Sequence, residues 1–180
     1  MALLSAVELQ ARAATIRLAV FDVDGSLTDG RLWFDGAGGE SKAFHVQDGL
    51  GLRLLEDHGI AVAMITARES AALRARAKDL RIERVFTGVA DKRDCLKNVC
   101  RQLSLPLSSV AYFGDDLPDL ATFPLVGLAA APIDGHPWVR ERAHWLSTRP
   151  AGFGAARELC DLILVAQGFK DVALGRYLNP

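Results

Sequence analysis

The stretch AVFDVDGSLTDG, residues 19–30, closes an apolar run on Asp22 and places Asp24, Gly25, Asp29 and Gly30 directly behind it. Carboxylates crowded at the end of a buried strand repel each other and lose hydration, so a cation or a chemical task must compensate them. The run begins IRLAVF (16–21) and reads as a strand covered on both faces. IAVAMI (60–65), ERVF (83–86), VAYF (110–113) and LVGLA (125–129) repeat the pattern. Helix-like segments separate them: DGLGLRLLEDHG (48–59), ESAALRARAKDL (69–80) and DKRDCLKNVCRQL (91–103), with Gly59 placed to cap the first. Strands alternating with helices predict an α/β fold with a doubly wound, mostly parallel sheet.

One segment breaks the rhythm. RLWFDGAGGESKAFHVQ (31–47) has two β-like arms around a glycine-rich turn, which predicts a β-hairpin inserted after the first strand. AGFGAARELCDLILVAQG (151–168) enters through glycines and continues as a helix with an apolar face, suited to packing or to a subunit contact. No repeat or low-complexity linker divides the chain. Its 180 residues read as a single domain over 1–180, with a flap at about 31–47 and a C-terminal helix and tail at about 153–180.

Composition narrows the function classes. Hydrophobic residues make up 50% and charged residues 24%, an ordinary globular balance. A formal net charge of -1 gives no basic surface for nucleic acid. No apolar run approaches the roughly 18 residues a membrane span needs, and MALLSAVELQARAATI (1–16) reads as a short amphipathic helix rather than a signal peptide. The cytoplasm is the expected compartment. Cys95, Cys100 and Cys160 are too scattered for a disulfide framework or a zinc site and read as reduced thiols. His45, His58, His136 and His144 have no metal-binding spacing and read as structural or surface residues.

Ligands of open α/β sheets bind beyond the carboxyl ends of the strands. There the sequence places Asp22 and Asp24 after the first strand, Thr66 after the second, and Asp115, Asp116 and Asp119 after VAYF, with Lys92 opening a helix. Asp22, Asp24 and Asp115 offer hard oxygen ligands, which suit magnesium better than zinc or copper. An EF-hand loop beginning at Asp22 is excluded, because Leu27 and Trp33 stand where it needs Gly and Glu. A carboxylate can attack phosphorus, and a second carboxylate two residues on can protonate the leaving oxygen and then activate water. Thr66, Lys92 and backbone N–H groups after Asp22 can hold phosphoryl oxygens. Asp29 reads as a turn residue at the hairpin entry.

DVDGSLT, MITAR, Lys92 and GDDLPD resemble, in order and spacing, the four motifs of haloacid dehalogenase (HAD) phosphohydrolases. DVDGSLTDGRLWFDGAGGESKAFHVQDGLGLRLL, VAYFGDDLPDL and GAARELCDLILVAQG narrow the resemblance to the 3-deoxy-D-manno-octulosonate 8-phosphate phosphatase family, which lacks a large cap domain. The resemblance implies magnesium-dependent hydrolysis of that sugar acid phosphate in lipopolysaccharide precursor biosynthesis. It also implies a homotetramer whose hairpins gather into a small barrel and whose sites are closed by neighbouring subunits. By the same resemblance Asp22 is the nucleophile. Asp24 is the acid/base and a metal ligand through its carbonyl. Asp115 is the direct carboxylate ligand, with Asp116 and Asp119 in support. Thr66 and Lys92 hold the phosphoryl group. Gly25, Lys42, Gln47, Asp48 and Arg68 become candidate substrate contacts, Arg68 facing the sugar's own carboxylate.

Two positions depart from the family pattern: Ala67 stands where ITGR has glycine, and Phe153 stands where an arginine is usual. They leave open a related nine-carbon ulosonate 9-phosphate or another sugar phosphate. A phosphate-accepting receiver module also places aspartates, a threonine and a lysine at strand ends, but it lacks the second aspartate at Asp24. A non-catalytic subunit would be expected to lose the nucleophile or the acid/base, and both are present.

Overall fold

The structure is a computed structural model and describes residues 3–178. Its strands are β1 (Leu18–Phe21), β2 (Trp33–Phe34), β3 (Glu40–Ser41), β4 (Ala61–Ile65), β5 (Arg84–Phe86), β6 (Val110–Phe113), β7 (Leu128–Ala131) and β8 (Trp145–Leu146). The helices are α1 (Ala6–Ala13), α2 (Val46–Asp57), α3 (Ala71–Asp79), α4 (Lys92–Gln102), α5 (Pro137–Arg140), α6 (Ala155–Ala166) and α7 (Lys170–Leu178).

All four residues of β1 are buried. Ala19 and Phe21 join one apolar cluster and Leu18 and Val20 join the other, as the two-residue period of a strand requires. The first cluster is completed by α2, α3 and α6, and the second by α4 and α5. Burial on both faces is why these strands read as unbroken apolar runs instead of alternating ones. Gly51 lets α2 and α6 approach closely: a Cβ there would lie 3.0 Å from the Cβ of Cys160.

The sheet has six parallel strands in the order β5-β4-β1-β6-β7-β8. The chain goes from β1 to β4 and β5 on one side, then returns to β6 on the other. That reversal opens a crevice at the carboxyl ends of β1 and β6, where such folds bind ligands. The predicted α/β architecture is the one observed.

The boundaries differ in instructive ways. LVGLA shifts to β7, because Pro124 carries no N–H for a ladder and Phe123–Leu125 turns as a 3-10 helix instead. The hairpin is shorter than 31–47: it pairs only Trp33 with Ser41 and Phe34 with Glu40, and Val46 and Gln47 already belong to α2. Strand β8 and helix α7 went unread, the first for its brevity and the second for its mixed face. Helix α1 forms where the amphipathic stretch predicts it, closed by a reciprocal cap between Ser5 and Glu8. Met1 and Ala2 of that stretch, and the last two residues of the tail, lie outside the described residues. No helix among the described residues is long and apolar enough to cross a membrane.

Candidate active site

The crevice is built from strand ends. Asp22 follows β1 directly and is buried, and its N–H donates to the carbonyl of Phe113 on β6 at 2.9 Å. Thr66 follows β4 and is buried. Asp115 lies two residues beyond β6. Lys92 is the first residue of α4, whose N-cap Asp91 accepts from the N–H of Asp94. Its ammonium, 6% exposed, donates to Asp22 Oδ1 and to Asp119 Oδ1, both at 2.6 Å.

Asp119 is the hub of this floor. It is fully buried and also accepts from the Tyr112 hydroxyl at 3.0 Å and from the backbone N–H groups of Asp115 and Asp116 at 3.0 and 3.2 Å. Its oxygens are therefore occupied. Asp22 and Asp115 are less engaged: Lys92 and the Ser26 hydroxyl donate to one oxygen of each. The carboxylates of Asp22, Asp115 and Asp119 each bring an oxygen within 4.8 Å of the other two. Gly25 closes the turn with φ +88, and a Cβ there would lie 2.1 Å from Asp115 Oδ2, so only glycine fits.

Three carboxylates against one ammonium leave an excess of negative charge. Burial pushes the Asp22 carboxyl up to about 7, Asp119 adds to the rise, and Lys92 opposes it. Burial, then the charges of Asp22 and Asp119, push Asp115 up to about 8 against the Ser26 hydrogen bond. Burial also disfavours the Lys92 ammonium, but Asp22 and Asp119 outweigh it and hold its pKa above the ordinary lysine value. The lysine is thus firmly charged and still insufficient alone. A hard dication matches both the surplus charge and the all-oxygen donor set.

A second group gathers under the hairpin. The Lys42 side chain is 0% exposed and pairs with Asp24 Oδ1 and, at 3.2 Å, with Glu40. Arg68, after β4, donates to Glu40 Oε2 at 2.8 Å and lies 3.9 Å from Asp24 Oδ2. The Arg68 guanidinium, helped by Ser70 and Lys42, overcomes burial and draws the Glu40 carboxyl down to about 2.

Other candidates lie apart. Gln47 accepts from the Arg149 guanidinium at 3.0 Å, and the buried Asp48 accepts the N–H of Arg157 at 2.8 Å. Asp116 caps a 3-10 turn and accepts from the N–H of Leu117. Asp29 accepts from the N–H of Arg31 at 3.1 Å, the turn role expected of it. A cavity of about 600 Å³ opens beside Lys92, lined in part by Ala67, Val89, Leu117 and Pro118. Phe153 is 55% exposed and borders a separate hollow with Asp29 and His45.

Ser26, Tyr112 and Glu40 escaped the sequence reading. Ser26 sits inside the quoted motif, and Tyr112 is a polar-tipped residue in a buried strand one turn from the aspartates, so both carried a usable signal. Glu40, in a glycine-rich hairpin, carried none.

No family model matches the chain. It is 42% identical over 164 residues to 3-deoxy-D-manno-octulosonate 8-phosphate phosphatase of Yersinia pestis, covering 91% of this chain and 88% of that protein. Among solved structures it is similar to a hypothetical protein from Xanthomonas campestris, with 50% identity, a TM-score of 0.93, and 97% and 94% of the two chains covered. It is also similar to the Moraxella catarrhalis 3-deoxy-D-manno-octulosonate 8-phosphate phosphatase in complex with magnesium ion, phosphate ion and the sugar acid. That match has a TM-score of 0.93 and 40% identity over 96% of this chain and 99% of that one.

Proposed function

The chain belongs to the 3-deoxy-D-manno-octulosonate 8-phosphate phosphatase family, and from that premise we propose how its own residues divide the work. The protein is a magnesium-dependent phosphatase that converts 3-deoxy-D-manno-octulosonate 8-phosphate to 3-deoxy-D-manno-octulosonate and phosphate. The observation that carries this reading is the meeting of Asp22, Lys92 and Asp115 in the crevice between β1 and β6. Asp22 and Asp115 hold the magnesium with carboxylate oxygens and Asp24 with its backbone carbonyl. When bound, the ion neutralises the carboxylates and the phosphoryl oxygens they face.

Asp22 attacks phosphorus, the bond to the sugar oxygen breaks, and Asp24 donates a proton to that oxygen. Asp24 then takes a proton from water, which attacks the aspartyl-phosphate and releases phosphate. Lys92 and Thr66 bind phosphoryl oxygens, and the turn at Gly25 presents backbone N–H groups to them. Asp119 holds Lys92 in place through its 2.6 Å bond, and Asp116 caps the turn that carries Asp119.

In this reading residues 1–180 act as one domain, with the hairpin as its flap. The protein works in the cytoplasm, supplies lipopolysaccharide precursor, and assembles as a homotetramer. Trp33 and Phe34, 62% and 61% exposed on the hairpin, support the assembly, because neighbouring subunits would cover them. A second reading, a related ulosonate 9-phosphate as substrate, is favoured by the exposed methyl of Ala67 at the cavity beside Lys92.

A phosphate-release panel across eight- and nine-carbon sugar acid phosphates, with and without magnesium, tests the function. The eight-carbon substrate should give the highest kcat/KM and the reaction should stop on chelation. Folded, magnesium-loaded protein that releases phosphate from none of them defeats the proposal.

A further inference from the structure

The hairpin has little to hold it down. It has only two paired positions, and its aromatic residues face outward. Its contact with the crevice is ionic and centres on Glu40, which binds Arg68 Nη2 at 2.8 Å and lies 3.2 Å from Lys42 Nζ. Lys42 passes that grip on to Asp24. Two carboxylates and two cations thus balance, with the Lys42 side chain 0% exposed, the carboxylates 18% and 13% exposed, and Arg68 42% exposed at the rim. Asp24 Oδ2, Glu40 Oε1 and Arg68 Nε make no hydrogen bond, so the Glu40–Lys42 contact is an ion pair without a hydrogen bond.

Lys42 therefore has two carboxylate partners, Asp24 and Glu40, and Glu40 is itself anchored by Arg68. A buried ammonium held from two sides fixes the direction of the Asp24 carboxyl. Lys42 is also too enclosed to reach a ligand while it is held there.

We propose that Glu40 is a positioning residue for the acid step: with Lys42 it aims the Asp24 carboxyl at the leaving oxygen and holds the flap against the crevice. The inference rests on the reading of Asp24 as the acid. It assigns Lys42 to Asp24 instead of to the substrate.

The test is the dependence of kcat/KM on the leaving group, measured on full-length Glu40→Gln and Lys42→Met with aryl phosphates from 4-nitrophenyl to phenyl. Nitrophenolate leaves without a proton, whereas phenolate depends on one more. In each variant the 4-nitrophenyl ester should lose less than about threefold and the phenyl ester at least about tenfold, because acid assistance contributes at least that much. The slope of log kcat/KM against leaving-group pKa therefore steepens. The double variant should lose no more than the worse single one, since both act through Asp24. Equal losses on every ester would mean a merely structural role and overturn the proposal. So would unaltered kinetics, or a loss confined to substrates that carry a carboxylate, which would make the cluster a binding site for that group. A folded wild type without phosphatase activity overturns the proposed function and this inference together; an active wild type with unaltered slopes in both variants overturns this inference alone.

Discussion

The floor of the crevice and the hairpin above it hold their charges in opposite ways. On the floor, Asp22, Asp115 and Asp119 are set by the ends of buried strands and by the turn after β6, and their surplus charge is intrinsic to the packing. Under the hairpin, Asp24, Glu40, Lys42 and Arg68 balance two against two, and that balance is what fastens an otherwise exposed two-strand ribbon. A rigid scaffold can carry unbalanced charge and reserve it for a cation. A light flap cannot, because its two paired positions and exposed aromatics give it little apolar contact to keep it closed against repulsion.

Breaking the floor should have the largest effect. Asp22→Asn keeps the shape and removes the proposed nucleophile, so phosphate release should fall by about a thousandfold or more, in line with the loss of other covalent nucleophiles. Thermal unfolding should show the variant still folded; activity within tenfold of wild type would disprove the assignment. Lys92→Met comes next, because it leaves two buried carboxylates facing each other without their ammonium. Urea unfolding should show a loss of about 3 kcal/mol, the usual scale for breaking a buried pair, and magnesium should recover part of it.

The surplus charge itself can be titrated. Asp22 and Asp115, raised to about 7 and about 8, hold protons in the folded state that the unfolded chain has already released. Between about pH 4 and pH 8 the native state therefore binds more protons, and the contribution of this pair to stability falls as pH rises through that window. Magnesium binds the deprotonated carboxylates, so its stabilising effect should run the other way. Melting curves of chelated and magnesium-loaded protein should separate more at pH 8.5 than at pH 5.5. A separation that does not depend on pH would show that the floor is not short of positive charge.

The smallest effect on the folded chain should come from the outer face of the hairpin. Trp33→Ser with Phe34→Ser removes two exposed side chains and should cost about 0.5 kcal/mol or less within a subunit, the usual scale for surface changes. Light scattering is the sharper readout. The substitutions should break the proposed tetramer, whereas an unchanged mass would place the subunit contact elsewhere.

The floor and the hairpin also differed in legibility. Asp22, Asp115 and Lys92 can be placed at one sheet edge from the sequence, because apolar runs mark buried strands and parallel strands all end on the same side. VAYF even kept its boundaries in β6. The hairpin could be seen but not resolved. Two-residue strands carry almost no periodic signal, and Gln47 and Asp48, adjacent to it in sequence, turn into α2 and bind Arg149 and the backbone of Arg157. Lys42 and Arg68 looked like cations free for an anionic substrate because their partner, Glu40, is silent in a linear reading.

The amino-acid sequence by itself determined the α/β alternation, the carboxylates at the strand ends and the spacing of Asp22 and Asp24, since these follow from local hydrophobic period and residue order. Only the tertiary structure decided that Asp119 is the hub joining Lys92, Tyr112 and the turn after β6, and that Glu40 locks Lys42 onto Asp24. Those pairings join residues far apart in the chain, and their strength depends on burial, which no local pattern encodes.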